Sequence, residues 1–191
     1  MVRIQLGGLD KSECHMSLTQ QQQFLRNEAL GSSIRAASPR PRTLYRAGAT
    51  EADKKSFRCD MRSKLVEFGN KYRECVTSDD HLKNIDKLLG FLCEKEMLEK
   101  ENITFGVAQK MLNLYLKYEW CHGMIPEPPH CPIDSKVLKK VENDSKIKWT
   151  EMLREEYISA MFKIKKHAEP ESVGEWELRV FNEENDAYCH S

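Results

Sequence analysis

The 191 residues include 30 basic and 30 acidic side chains, so the formal net charge is zero. Hydrophobic residues make up 40% and charged residues 31% of the chain, and the mean hydropathy is −0.65. This composition predicts one soluble globular domain, and no apolar run approaches the roughly 20 residues that span a bilayer. Because the start lacks the long apolar stretch of a signal peptide, we expect an intracellular, cytoplasmic protein with no membrane contact. The balanced charge lacks the basic excess typical of nucleic-acid binding, although a small local patch suffices for a small footprint.

The seven cysteines are scattered along the chain and contain no CxxC pair. An odd number excludes complete intramolecular pairing, and the spacing matches no four-cysteine iron–sulfur site. The pattern predicts free thiols in a reducing compartment.

Residues 1–52 are predicted to be a flexible, partly basic tail. The segment contains the run Gln20–Gln23, few large apolar residues, and Pro39 and Pro41, which disfavour a helix there. A short helix near residues 18–30 is compatible with the pattern. The stretch RAASPRPR has the composition of a basic arm for phosphates, but a solvated tail is the more common role of such a sequence.

Apolar residues recur at intervals of three and four from residue 53 onward, which is the spacing of one helix face. The clearest examples are Phe57, Met61, Leu65, Phe68 and Tyr72; Leu82, Ile85, Leu88, Leu89, Leu92 and Met97; and Trp149, Met152, Leu153, Tyr157, Ala160, Met161 and Ile164. A last helix is expected to begin near Ser172. No alternating strand pattern with hairpin signals is present. We therefore predict a single all-α domain over residues 53–191, a compact bundle of five or six helices.

The stretch Phe105–His122 is apolar on more than one face, which predicts a central helix. Gly123 fits its C-terminal cap, and a proline-rich loop, MIPEPPHCP, follows. Asp134 then occupies the N-cap position of a helix that begins SKVLKKV. A helix, a loop and a second helix return the chain on itself, so Lys110 on the first helix is expected to meet Asp134.

A lysine near apolar surroundings and a carboxylate at a helix N-terminus have complementary chemistry. A neutral lysine amine is a nucleophile that forms Schiff bases. The ionised Asp134 would orient that nucleophile or stabilise a cationic sugar. The alternative interpretation is that Asp134 is an ordinary N-cap and Lys110 a solvated helix lysine.

The sequences ITFGVAQKMLNLYLKY and PIDSKVLKKV resemble the helix-hairpin-helix DNA glycosylases, in particular the archaeal 8-oxoguanine glycosylases. The resemblance covers residues 103–141 and implies a helix-hairpin-helix-like element, with Thr104 and Gly106 in the hairpin. It implies that Lys110 and Asp134 are catalytic, and we expect Thr104, Gly106, Gln109 and Lys136 to contact DNA. The segments PPHCPIDS and EWELRVFN also resemble uncharacterised bacterial proteins.

The resemblance implies a DNA glycosylase with AP-lyase activity, which excises a modified base from double-stranded DNA through a lysine Schiff base. No cofactor, metal or obligate protein partner is expected. Candidate base-pocket residues are Trp120, Tyr115, Tyr118, Trp149 and Gln109. The sequence leaves open which base is excised, and whether the role is repair or defence against modified foreign DNA.

Two other functions remain as alternatives. The first is a non-catalytic α-helical protein-interaction module. The second is a small zinc-stabilised module, because Cys121, His122, His130 and Cys131 bracket the proline-rich loop. Adjacent ligands rarely reach one metal together, so this zinc site is the weaker prediction.

Overall fold

The computed structural model describes residues 18–38, 43–142 and 146–189, and these residues form seven α-helices and no strand. Within these ranges a 3-10 turn covers Lys100–Asn102, and an isolated bridge joins Tyr45 to Leu98. The helices are α1 Gln20–Ala36, α2 Glu51–Lys71, α3 Ser78–Cys93, α4 Phe105–Cys121, α5 Ser135–Val141, α6 Arg154–Ala168 and α7 Val173–Cys189. The predicted all-α class is confirmed, with more helices than the five or six expected. None of the helices in the described ranges has the length and apolarity to cross a bilayer.

Threonine caps fix the starts of four helices. Thr19, Thr50, Thr77 and Thr104 each accept a hydrogen bond from a backbone N–H in the first turn of α1, α2, α3 and α4. A threonine hydroxyl satisfies a helix N–H that otherwise lacks a partner, which sets the helix boundary at that residue. Asp134 has the same role for α5.

The helix α4 lies at the centre of the fold, and α1, α2, α3 and α6 all pack against it. Its first nine residues, Phe105–Asn113, are all buried. A helix that is apolar on most faces requires neighbours on most faces, as the sequence pattern predicted. The buried side chains of α4, Lys110 among them, are therefore fixed in position by packing.

The prediction of a tail through residue 52 does not hold for α1. This helix packs on α4 and buries Ala29, Leu30, Ser33 and Ile34. Arg26 of α1 forms a two-pronged ion pair with Glu119 of α4, with N–O distances of 3.1 and 2.6 Å. The helix is stabilised by this small apolar face and one buried ion pair rather than by a wide apolar stripe. Residues 1–17 and 39–42 of the predicted tail lie outside the described residues, whereas residues 43–50 lead into α2, which begins at Glu51.

The connection between α3 and α4 occupies the place of the expected hairpin, and the chain itself covers it. The backbone N–H of Glu99 donates to the carbonyl of Leu44 at 2.8 Å, and that of Arg46 donates to Met97 at 3.0 Å. The Asn102 amide donates to the Thr43 carbonyl at 2.8 Å. Residues 43–46 thus occupy two donors, the Glu99 N–H and the Asn102 amide, that an open hairpin would offer to a phosphate.

Candidate functional site

Lys110 and Asp134 meet as predicted. Lys110 lies on α4 and its side chain is 9% exposed, and its Nζ is 2.7 Å from Oδ2 of Asp134. The other carboxylate oxygen, Oδ1, accepts from the backbone N–H groups of Lys136 and Val137 at 3.0 and 3.1 Å. One oxygen of Asp134 therefore caps α5, while the second is directed at the lysine.

The environment of Asp134 keeps its carboxyl ionised. Burial alone would raise the pKa of Asp134, but the positive charge and hydrogen bond of Lys110 and the two backbone N–H donors lower it more. The net pKa lies below the ordinary value, so Asp134 is an anion at neutral pH. An ionised carboxylate beside a buried amine can take up a proton from it.

Gln109, the neighbour of Lys110, anchors the loop that delivers Asp134. Its Nε2 donates to the Ile133 carbonyl at 2.7 Å, and its Oε1 accepts from the Ile133 N–H at 3.2 Å. Asn113, one turn further along α4, donates to the Cys131 carbonyl at 3.0 Å. These bonds fix the end of the proline-rich loop on the surface of α4, at the level of Lys110.

A buried polar network also holds the same loop in place. The Tyr157 hydroxyl accepts from Asn113 Nδ2 at 3.0 Å and lies 3.0 Å from Nδ1 of His130. The His130 ring packs edge-on against His81, whose Nδ1 lies 2.8 Å from the Tyr72 hydroxyl. Burial lowers the pKa of His81 to about 4 and that of His130 to about 2. Both histidines are therefore neutral members of the core at physiological pH.

Lys110 and Asp134 line a cleft of about 610 Å³. Three aromatic side chains also line it, Tyr118 of α4, Trp149 before α6 and Phe181 of α7. The small residues Ser32 and Ala36 of α1 form another part of the wall. The volume lies within the roughly 300–1,000 Å³ of small-molecule sites. Aromatic walls around a charged pair suit a flat ring that bears polar edges.

A second ion pair lines the same cleft. Lys117 lies two turns after Lys110 on α4, and its Nζ is 2.5 Å from Oε2 of Glu177 on α7. The same ammonium lies 4.7 Å from the centroid of the Phe181 ring. The Glu177 side chain is only 7% exposed. Burial raises the pKa of Glu177 above its ordinary value, and the charges of Lys117 and Lys110 only partly offset this.

Of the four predicted DNA-contacting residues, Lys136 lines the cleft and the other three do not. Lys136 is exposed and lines the cleft. Gln109 is fully buried in its contact with Ile133. The Thr104 hydroxyl caps α4 and donates to the Thr150 carbonyl at 2.9 Å. Gly106 donates its N–H to the Met152 carbonyl, and a Cβ at this position would lie 1.7 Å from the Trp149 carbonyl oxygen. Thr104, Gly106 and Gln109 therefore contact the chain itself and do not belong to the surface open to DNA.

Of the candidate base-pocket residues, some line the cleft and others are packed elsewhere. Tyr118 and Trp149 line the cleft, whereas Tyr115 is fully buried beside Gly69 and Trp120 packs against Gly174. The sequence analysis missed Lys117, Glu177 and Phe181. The seven-residue spacing of Lys110 and Lys117, which places both on one helix face, was an available signal for the second lysine.

The predicted zinc ligands do not form a cluster. His130 and Cys131 are buried, whereas Cys121 is exposed. No group of three or more histidine, cysteine, aspartate or glutamate side chains in the described part of the chain is arranged to hold a metal ion. The zinc module therefore gains no support from the side-chain positions.

No known protein family, curated protein sequence or solved structure matches this chain. The chemistry of the cleft is that of a buried amine in contact with an ionised carboxylate, between aromatic walls and next to a second ion pair.

Proposed function

We propose that this chain is a DNA glycosylase with AP-lyase activity, which excises a modified base from double-stranded DNA through a Schiff base on Lys110. The observation that supports it is the 2.7 Å contact between Lys110 Nζ and Asp134 Oδ2 inside a cleft. The resemblance of residues 103–141 to helix-hairpin-helix DNA glycosylases assigns the catalytic roles to this same pair.

The substrate nucleotide must leave the duplex before Lys110 can reach it. The glycosidic carbon is inaccessible inside stacked DNA, and enzymes of this class rotate the nucleotide into a pocket. The cleft offers Trp149, Tyr118 and Phe181 for stacking on a displaced base. Such stacking contributes about 1–3 kcal/mol per base in proteins that bind single-stranded nucleic acid.

The chemical steps use Lys110 and Asp134 in turn. Asp134 relays a proton from the Lys110 ammonium to water and returns to its carboxylate form, and the freed Nζ lone pair attacks C1′ of the sugar. The bond between C1′ and the base nitrogen breaks, and its electron pair departs with the base. One of the two protons left on Nζ passes to O4′ as the C1′–O4′ bond opens, which leaves a protonated imine between Lys110 and C1′. Loss of a C2′ proton and departure of the 3′ phosphate by β-elimination complete the lyase step.

Asp134 also acts electrostatically. Positive charge develops on the sugar as the base leaves, and a fixed carboxylate next to C1′ stabilises it. The two backbone N–H donors and the loop anchored by Gln109 hold Asp134 in place before the reaction. A preorganised anion needs no rearrangement in the transition state, which is why such groups contribute strongly to rate.

The cleft opens toward basic residues that suit a phosphate backbone. Lys136 lines the cleft itself, and Arg35 lines an adjoining groove that shares Ala36 and Trp149 with it. We assign these two cations to the phosphates that flank the displaced nucleotide. Phosphate contacts position a duplex without reading its sequence, and they depend strongly on salt.

Borohydride trapping tests the proposal. Purified protein is incubated with borohydride and duplexes that carry an abasic site or one of a panel of modified bases. We expect wild type to form a covalent adduct and Lys110→Gln to form none. Lys83→Gln is the matched control, because Lys83 is an exposed lysine on α3 paired with Asp80. If wild type forms no adduct and releases no base, the proposal is wrong.

One observation favours the alternative of a non-catalytic interaction module. Leu153 and Phe162 expose 62% and 60% of their surfaces, and Ile158 is exposed between them in the sequence. Exposed apolar side chains on one helical segment are suited to a partner surface. This module would keep its partner binding in Lys110→Gln and lose it in Phe162→Ser.

A further inference from the structure

Glu177 places a second carboxyl group inside the cleft. It lies on α7, four residues before Phe181, and its side chain lines the same space as Lys110 and Asp134. A carboxyl group that is 7% exposed yet borders a cleft is unusual, because carboxylates are rarely buried unless paired. Its partner is Lys117, and none of the steps described above uses this pair.

Several charged or titratable groups act on Glu177 from the elements around it. They are Lys110, Lys117 and Cys121 on α4, and Cys131 and Asp134 in the connection between α4 and α5. The two lysines favour the carboxylate form and Asp134 opposes it. Burial outweighs the lysines, so the pKa of Glu177 is raised.

The two carboxyl groups of the cleft therefore have opposite proton affinities. Asp134 has a lowered pKa and Glu177 a raised pKa, although both lie near lysines. When environments shift two carboxyl groups of one site in opposite directions, the lower becomes the standing anion and the higher the proton donor. Departure of a base needs both functions, an anion for the sugar and a proton for the base.

We propose that Glu177 is the proton donor to the departing base and that the substrate is therefore a neutral modified base. This inference rests on the proposed function. As the bond between C1′ and the base nitrogen breaks, its electron pair passes into the base ring. The Glu177 O–H bond breaks in the same step, its proton goes to a ring nitrogen or carbonyl oxygen of the base, and the base leaves neutral. The resulting Glu177 carboxylate remains beside the Lys117 ammonium, and water returns the proton.

The substrate class follows from the need for that proton. A neutral base is a poor leaving group until it is protonated, so an acid accelerates its departure. A base that carries a fixed positive charge, such as 7-methylguanine, already leaves as a neutral molecule and gains nothing from Glu177. When Glu177 carries its proton, the Lys117 ammonium in the cleft lacks a counter-charge and also repels a cationic base. The geometry therefore favours neutral lesions over alkylated cationic ones.

The experiment compares Glu177→Gln with wild type on two kinds of duplex. A preformed abasic site requires Lys110 but no departing base, so borohydride trapping there should stay within about twofold of wild type. On a duplex with a neutral base that wild type excises, drawn from a panel including 8-oxoguanine and 5-hydroxymethylcytosine, single-turnover release should fall about 100-fold. Trapping at the abasic site also shows that the variant is folded.

The pH profile of base release gives a second measurement. Removal of the Lys117 charge destabilises the Glu177 carboxylate and raises its pKa further. Lys117→Gln should therefore move the alkaline limb of the release profile to higher pH. A purely structural role of the Lys117–Glu177 pair would lower release at all pH values without moving that limb.

The outcomes separate the two proposals. Failure of wild type both to trap a preformed abasic site and to release any base of the panel overturns the proposed function and this inference with it. Trapping at the abasic site without release of any base in the panel overturns the inference alone. So does release by Glu177→Gln at the wild-type rate, or release of 7-methylguanine by wild type as fast as the preferred neutral base.

Discussion

Gln109 and Ile133 exchange two hydrogen bonds, side-chain amide to backbone, at 2.7 and 3.2 Å. These residues directly precede Lys110 along α4 and Asp134 along the loop. The two hydrogen bonds therefore align the two chain segments one residue before Lys110 and Asp134. These bonds are fully buried, so both backbone groups of Ile133 depend on Gln109 for a partner.

Replacement of Gln109 tests this alignment. Gln109→Ala leaves the Ile133 N–H and carbonyl buried without partners, which we expect to cost about 2–4 kcal/mol of unfolding free energy. Abasic-site trapping should also fall, because the loop no longer holds Asp134 against Lys110. Urea unfolding measures the first effect. Gln23→Ala, at an exposed position of α1, is the control and should change stability by less than about 0.5 kcal/mol.

Substitutions at Asp134 separate its capping role from its charge. Asp134→Asn keeps a good N-cap for α5 but leaves the Lys110 ammonium without its anion, so trapping should fall about 100-fold. Asp134→Ala loses the cap as well and should be less stable than Asp134→Asn by about 1 kcal/mol. Equal trapping by wild type and Asp134→Asn would exclude a catalytic charge. The two unfolding curves must be recorded at the same pH.

The lowered pKa of Asp134 gives a defined pH dependence. A carboxyl whose pKa is lower in the folded than in the unfolded state stabilises the fold above its unfolded value of about 3.9. That contribution is lost as the pH falls through the lowered folded value. The acid limb of the stability profile should therefore be shallower in Asp134→Asn than in wild type.

The buried histidines predict a second effect of pH on stability, a loss of stability as the pH falls below about 6.5. The pKa of His81 is lowered to about 4 and that of His130 to about 2, whereas an unfolded histidine titrates near 6.5. The unfolded chain therefore binds protons first, and stability is complete above about pH 6.5 and falls below it. The expected slope is about 1.4 kcal/mol per pH unit for each histidine between pH 6 and 4.

Urea midpoints between pH 7.5 and 4.5 measure that slope. His130→Gln should reduce the slope by roughly half, since one of the two protonations is removed. His167→Gln is the matched control, because His167 lies exposed near the end of α6. An unchanged slope in His130→Gln would show that other groups cause the acid sensitivity.

The sequence predicted the central features of the fold and the contact between Lys110 and Asp134. Periodic apolar residues identified α2, α3, α4 and α6, and the N-cap position of Asp134 followed from local sequence alone. The helix α1 was predicted only as a possible short helix near residues 18–30, because its buried face consists of Ala29, Leu30, Ser33 and Ile34, which form too narrow an apolar stripe to stand out. The partner that stabilises it, Glu119, lies far along the chain.

The rest of the cleft could not be predicted because it depends on tertiary packing. Nothing local in the sequence pairs Lys117 with Glu177, which lies on the last helix. Gly106 was expected at a DNA phosphate because glycine allows close backbone approach. The approach does occur, but the backbone of Trp149 makes it rather than a phosphate.

Replacement of one partner of the ion pair between Arg26 and Glu119 should strongly lower the unfolding free energy. Arg26→Met leaves the Glu119 carboxylate, whose side chain is 2% exposed, without a cation and should cost about 3–5 kcal/mol. The double variant Arg26→Met with Glu119→Gln should recover much of the loss, since no uncompensated charge remains. Lys83→Ala breaks an exposed pair with Asp80 and should cost less than about 0.5 kcal/mol. Similar losses in all single variants would contradict the buried-pair interpretation.

Two glycines provide a matched pair of alanine substitutions. A Cβ on Gly106 would lie 1.7 Å from the Trp149 carbonyl oxygen, so Gly106→Ala must displace backbone and should cost about 3 kcal/mol or more. Gly90, exposed in α3, has open space around it. Gly90→Ala should stabilise the protein by about 0.5–1 kcal/mol through helix propensity. Thermal unfolding of both variants checks the contrast.

The packing of α1 on α4 also determines when α1 can dock during synthesis on the ribosome. The buried face of α1 is completed by a helix that begins at Phe105, so the ribosome must make all of α2 and α3 first. At roughly 5–20 residues per second, the nascent α1 waits several seconds for its partner. During that interval Leu30 and Ile34 are uncovered, and a stalled chain that ends before α4 would present them to chaperones. The helix α1 is therefore made before its partner α4 and docks late.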